Sequence, residues 1–134
     1  MTQQHARGAF EVTITPDEPG EPDGVSGGIA RFRLEKTWSG ELTGSSRGLM
    51  LSAGDPAQQR AGYVALEEFE GSLGGTRGGF VFQQLGIMRP DAQELTYVVV
   101  PGSGSGDLAD LEGTLALDIS ADGTHAYDLT YTLG

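Results

Sequence analysis

Large apolar residues recur at every second position through most of this chain. Phe10, Val12 and Ile14 alternate with Glu11, Thr13 and Thr15, and the same period runs through Phe32, Leu34 and Trp38 and through Tyr127, Leu129 and Tyr131. Side chains of a strand point to opposite faces in turn, so this is the pattern of strands with one buried face. It predicts strands over 9–15, 29–38, 41–52, 62–73, 79–88, 95–100, 113–120 and 125–133. The gaps hold Ser39-Gly40, Ala53-Gly54-Asp55-Pro56, Gly74-Gly75, Arg89-Pro90-Asp91 and Asp122-Gly123, all of it turn chemistry. Links this short join antiparallel neighbours. No segment carries a sustained helical period; the best is one turn over 107–111.

Eight strands in meander order must hide two sheet edges, and closure does so completely. The expected fold is all-β, an eight-stranded antiparallel up-and-down barrel. A sandwich of two facing sheets has the same periodicity and is the rival. One domain spans 1–134, with a terminal segment over 1–8 and a solvated loop over 16–27, where three prolines stand among acidic residues without a cation. Val81, Leu85 and Ile87 oppose Phe80, Phe82 and Met88, so that strand is apolar on both faces. A covered outer surface follows, and a homo-oligomer burying the same patch on each subunit would cover it.

Polar residues interrupt the apolar parity in four places. Lys36 shares a face with Leu34 and Trp38, Glu67 with Tyr63 and Phe69, Gln84 with Phe80 and Phe82, and His125 with Tyr127 and Leu129. A buried polar group needs a partner, and several converging inside a barrel would make a ligand pocket. Glu67 and Lys36 are the candidate catalytic pair: a poorly solvated carboxylate holds a proton or pairs with a cation, and Lys36 is the cation on the same face. One reading has Glu67 polarise a ligand oxygen while Lys36 and Gln83 or Gln84 hold it; the other makes the pair a structural salt bridge at the barrel mouth. Gln83 and Gln84 face opposite ways, so only one belongs to the interior. Trp38, Tyr63, Phe82, Tyr97 and Tyr127 are candidate ligand contacts, or simply core. His125, beside the Asp122-Gly123 turn, is a proton shuttle or a solvated strand end.

Charge narrows the partners. Eight Lys and Arg against 19 Asp and Glu give a net charge of -11, a field that repels nucleic acid and anionic membranes alike. With no cysteine, disulfides, thiolate metal sites and cysteine nucleophiles are absent. Neither histidines nor carboxylates have a metal-ligand spacing, and no cofactor motif appears. Met1 to Gly8 lacks the basic start and apolar centre of a secretion signal, and no apolar run reaches a bilayer's width; a cytoplasmic protein is expected. Gly44-Ser45-Ser46-Arg47-Gly48 matches Gly-x-Ser-x-Gly, but the strand pattern continues past it, so it is no nucleophile elbow. Pro101 to Gly106 lacks the lysine and helix of a phosphate cradle.

The pieces Ala9-Phe10-Glu11-Val12, Lys36-Thr37-Trp38-Ser39-Gly40, Gly62-Tyr63-Val64-Ala65-Leu66-Glu67, Gly78-Gly79-Phe80-Val81 with Gln83 and Gly86, Val100-Pro101-Gly102-Ser103-Gly104-Ser105-Gly106 and His125 with Tyr127, in this order and spacing, resemble a family of small bacterial proteins of unknown function. The fold of that family is related to plant allene oxide cyclase. The resemblance implies an eight-stranded antiparallel barrel, and relatives that cyclise or orient small apolar intermediates, usually as trimers. Gly104-Ser105-Gly106-Asp107-Leu108 is similar to the Gly-x-Gly-x-Phe segment of allene oxide cyclases and dirigent proteins, with Leu108 replacing the aromatic. The family pattern has histidine where this chain has Gln84. The expected function is therefore to bind a small apolar or amphipathic molecule in the lumen. A cofactor-free cyclase or isomerase using Glu67 and Lys36, and a scaffold with a filled barrel, are the alternatives.

Overall fold

A computed structural model describes residues 2–17 and 28–134. Among the described residues nine strands run in chain order: β1 Gln4–Pro16, β2 Ile29–Gly40, β3 Leu42–Asp55, β4 Arg60–Leu73, β5 Thr76–Arg89, β6 Ala92–Val99, β7 Ser105–Gly106, β8 Leu111–Ile119 and β9 His125–Leu133. Every pairing is antiparallel, and the order β4-β3-β2-β1-β9-β8-β6-β5 closes through β4 on β5. The fold is thus the expected eight-stranded barrel, with β7 an extra two-residue strand that pairs with Gly78 and Gly79 of β5. Closure rules out the sandwich.

Several of the predicted features shift. β1 starts at Gln4, so the polar terminal segment is already sheet: His5 pairs with Thr130 and its ring lies 2.9 Å from Asp128 Oδ1. The positions on the Phe10 parity at its start are Gln4, Ala6 and Gly8, none of them large and apolar, so hydrophobic periodicity does not show it. The stretch 107–110 forms turns, with Leu111 N donating to the Leu108 carbonyl at 3.1 Å, and no helix. The only helical element among the described residues is the single 3-10 turn Pro56–Gln58, capped by Asp55 accepting from Ala57 N at 3.0 Å. The acidic loop expected over 16–27 lies, from residue 18 onward, outside the described residues.

One half of the barrel is packed solid. Trp38, Leu42, Phe69, Leu73, Phe80, Phe82, Leu108, Leu111 and Leu129 are buried there, and the rings form a contiguous column, with Trp38 5.4 Å from Phe82, Phe82 4.8 Å from Phe80 and Phe80 4.9 Å from Phe69. Leu108, fully buried, packs under β5 where Gly78 leaves room: a Cβ there would stand 3.0 Å from the Leu108 side chain. That packing explains why the segment after β7 returns into the barrel end.

The other half is open. Ile14, Phe32, Met50, Tyr63, Met88, Leu95, Leu117 and Ile119 line a cavity of about 690 Å³ at the end where β1 finishes and β2 begins. Ile14 and Ile119 are more than half exposed although they point inward. Outside, Leu49 and Leu51 of β3, Val64 and Leu66 of β4 and Leu85 of β5 stand adjacent in register and about half exposed. No helix among the described residues is long and apolar enough to cross a membrane.

Candidate functional site

The polar residues that break the apolar parity meet at one point between the two halves. Lys36 of β2 and Glu67 of β4 both turn inward and are 5% and 1% exposed. The Lys36 ammonium lies 2.9 Å from Glu67 Oε1 and donates to the Tyr97 hydroxyl at 2.8 Å; Tyr97 in turn donates to Glu67 Oε1 at 2.5 Å. Gln84 Nε2 donates to the same carboxylate oxygen at 3.3 Å, and Ser46 Oγ donates to Oε2, also at 3.3 Å. Ser46 itself accepts from Trp38 Nε1 at 2.9 Å. The remaining face of the ammonium is turned to the Phe10 ring, 4.7 Å from its centroid, a cation–π contact.

These contacts are what make the charges tolerable. An ionised carboxylate taken out of water costs several kcal/mol even after relaxation, and here four donors, one of them a cation, surround it. Among the described residues no buried side-chain nitrogen or oxygen lacks a hydrogen-bond partner. Burial lowers Lys36 below the ordinary lysine value, opposed by the charge of Glu67. Burial likewise raises Tyr97 well above the ordinary tyrosine value, and the adjacent Glu67 charge raises it further.

Tyr63 connects the cluster to the cup. Its hydroxyl donates to Gln84 Oε1 at 2.8 Å, and the residue forms part of the cavity wall. Burial first, and Glu67 second, raise its pKa, so at neutral pH it is a hydroxyl. The rest of the cavity wall is mostly aliphatic and thioether, with Ser52, Gln93 and Glu94 as its other polar residues.

The candidates of the sequence analysis are distributed unevenly. Lys36, Glu67, Gln84, Tyr97 and Tyr63 come together. Gln83 does not: it is exposed on the outer face beside Leu66 and Leu85, so Gln84 is the inward glutamine. Trp38 and Phe82 are packed core. Tyr127 is tied to the β2–β3 turn, accepting from Leu42 N at 2.9 Å and donating to the Ser39 carbonyl at 2.8 Å. His125 is half-buried at the start of β9 and stacks at 5.2 Å on Phe10, the ring that also takes the cation–π contact of the Lys36 ammonium, and it makes no hydrogen bond to Glu67. The pair Lys36 and Glu67 sits beneath the cup, not at a mouth. Ser46 joins them as well; in the sequence only its parity with Leu42 and Met50 points inward, and a serine does not make that parity distinctive. Among the described residues no three His, Asp or Glu side chains converge to hold a metal ion.

The fold and this interior define a small β-barrel protein with a half-filled lumen. Residues 6–131 match the family described as "Protein of unknown function (DUF3224)", and the chain belongs to that family. It is also similar to a solved structure, that of a protein of unknown function from the same family from Shewanella oneidensis MR-1: 38% identical, with 99% of this chain and 98% of that one covered and a TM-score of 0.87. No curated protein matches.

Proposed function

We propose that this barrel binds a small apolar or amphipathic molecule in the open half of its lumen. The observation that carries the reading is the cup itself. About 690 Å³ of inward-facing space is walled by Ile14, Phe32, Met50, Leu95, Leu117 and Ile119, within the 300–1,000 Å³ typical of ligand pockets. Aliphatic side chains pointing into a barrel yet left exposed gain stability only when something apolar covers them.

The methionines give a direct test. The chain has three, and Met50 and Met88 both line the cup. With 13C-methyl methionine labelling, titration of 1-octanol is expected to shift the Met50 and Met88 methyl resonances saturably. Unmoved resonances at millimolar octanol reject the reading. Native mass spectrometry of protein from its own host identifies the natural occupant.

The cyclase or isomerase alternative, implied by the resemblance to allene oxide cyclases, assigns proton handling to Glu67 and Lys36. Four donors already occupy the Glu67 carboxylate, which favours a structural role for it. A second reading concerns the outside. The apolar face that Leu49, Leu51, Val64, Leu66 and Leu85 form across β3 to β5 favours a homo-oligomer. Sedimentation of the native chain against Leu66→Glu tests this; a monomer in both at high concentration rejects it.

A further inference from the structure

The direction of the hydrogen bonds running out of the buried cluster restricts what the cup can hold. Glu67 forms an ion pair with Lys36 at 2.9 Å, and the carboxylate of such a pair only accepts. Its neighbour Gln84 must therefore turn its amide nitrogen to Glu67 Oε1, at 3.3 Å; the reversed amide would set two oxygen acceptors against each other. With the nitrogen committed inward, Gln84 Oε1 faces Tyr63, 2.8 Å from its hydroxyl. An amide oxygen also only accepts, so the single hydroxyl proton of Tyr63 is committed to Gln84. What Tyr63 retains toward its surroundings is a lone pair. The charge on one buried carboxylate thus fixes, through two side chains, the sign of a hydrogen-bonding group in the wall of the cup.

Resting on the ligand-binding reading above, we infer that the molecule held in the cup is a neutral, largely apolar alcohol whose hydroxyl donates to the Tyr63 oxygen. A ketone, ester or ether presents only acceptors, would set oxygen against oxygen at Tyr63, and could find a donor only away from it, at Ser52 or Gln93. A fatty carboxylate is disfavoured twice, as an acceptor and as an anion in a chain of net charge -11. Tyr63 is on this argument a specificity-determining residue and Gln84 a positioning residue that acts through it.

Four probes of matched length separate these cases: 1-octanol, 2-octanone, 1-methoxyheptane and octanoate, each titrated while the Met50 and Met88 methyls are followed by NMR. A hydrogen bond made against one left unmade is worth about 1–2 kcal/mol, or roughly 5- to 30-fold in affinity. Octanol is expected to bind that much more tightly than the other three. Replacing Gln84 by leucine frees the Tyr63 proton to donate, so in Gln84→Leu the octanone affinity is expected to rise toward that of octanol, a change in ratio that a general loss of stability does not produce. Ketone or ether binding as tightly as octanol in the native chain overturns the inference while leaving the cup as a binding site. An unchanged preference in folded Gln84→Leu also overturns it. Methyl resonances that respond to none of the probes remove the binding reading and this inference together. Should Gln84→Leu fail to fold, the ratio in the native chain still decides.

Discussion

The Tyr63 ring lies over Gly86 of the neighbouring strand, so close that a β-carbon on residue 86 would stand 2.2 Å from Tyr63 Cε1. The two residues are cross-strand partners in the β4–β5 ladder, and the bare glycine lets the aromatic ring cover the backbone while its hydroxyl reaches Gln84. Gly86→Ala is therefore expected to cost about 1–3 kcal/mol, as overpacking does. In a Tyr63→Ala background the same change should cost little. Urea unfolding of the four proteins gives the coupling; additive effects would show that the ring is not what excludes the methyl.

Removing one partner of the buried ion pair should be worse than removing both. Glu67→Gln leaves the Lys36 ammonium buried without its counter-charge, and about 3–5 kcal/mol of stability should be lost. Adding Lys36→Met to that variant removes the stranded charge, while the oxygen of the introduced amide still accepts from Tyr97 and its nitrogen can donate to the Ser46 hydroxyl. The double variant is expected to recover about 2 kcal/mol or more. If it is no more stable than Glu67→Gln, Lys36 does not depend on Glu67.

Alkaline pH should unfold the protein through Tyr97. Its folded pKa is raised well above 10.0, by burial and by Glu67, so its contribution is complete below pH 10.0 and is lost as pH rises through the folded value. In that range the unfolded chain releases a proton that the fold retains. Tyr63 shifts the same way. Lys36 opposes them: its folded pKa is lowered from 10.5, so its contribution is complete above pH 10.5 and lost as pH falls through the folded value. Two groups, Tyr97 and Tyr63, thus act against stability as pH rises and one, Lys36, acts for it. Stability measured by thermal melts should fall above about pH 10, and Tyr97→Phe should flatten that fall. A native profile level to about pH 12 would contradict the assignment.

The weakest seam of the barrel lies between β6 and β8, which share one paired position, Val98 with Thr114, whereas β3 and β4 pair continuously from Leu42 with Leu73 to Asp55 with Arg60. Local opening follows the density of the ladder. Amide hydrogens of β6 and β8 on that seam should exchange faster than those of β3 and β4, in hydrogen–deuterium exchange resolved by residue. Equal protection on both would mean that side-chain packing at Val99 and Leu115 holds the seam unaided.

Alternation and its turn residues made most of the strands and their antiparallel order legible, because a buried face imposes a period of two; closure followed only from the need to hide sheet edges, since a sandwich has the same period. The inward charges Lys36 and Glu67 were legible from that period as well. Ser46 was not, since serine is unremarkable on either face of a strand and only its neighbours Trp38 and Glu67 give it a role. Nor could periodicity tell which aromatics fill the lumen and which wall the cup. Tyr63, Tyr97 and Tyr127 occupy the same parity, and their different fates follow from height along the barrel, which depends on tilt and stagger between strands.

The buried cluster takes one member or more from each of five successive strands: Lys36, Ser46, Glu67 with Tyr63, Gln84 and Tyr97. Aliphatic side chains are interchangeable, and a strand that slipped by two residues would keep its inside and outside while moving about 7 Å along its neighbour. Leucine would not register the error. A lysine carried that far from its carboxylate would, leaving an uncompensated charge in a dry interior. The cluster therefore acts as a checksum on alignment, penalising misthreaded barrels that hydrophobicity alone would accept.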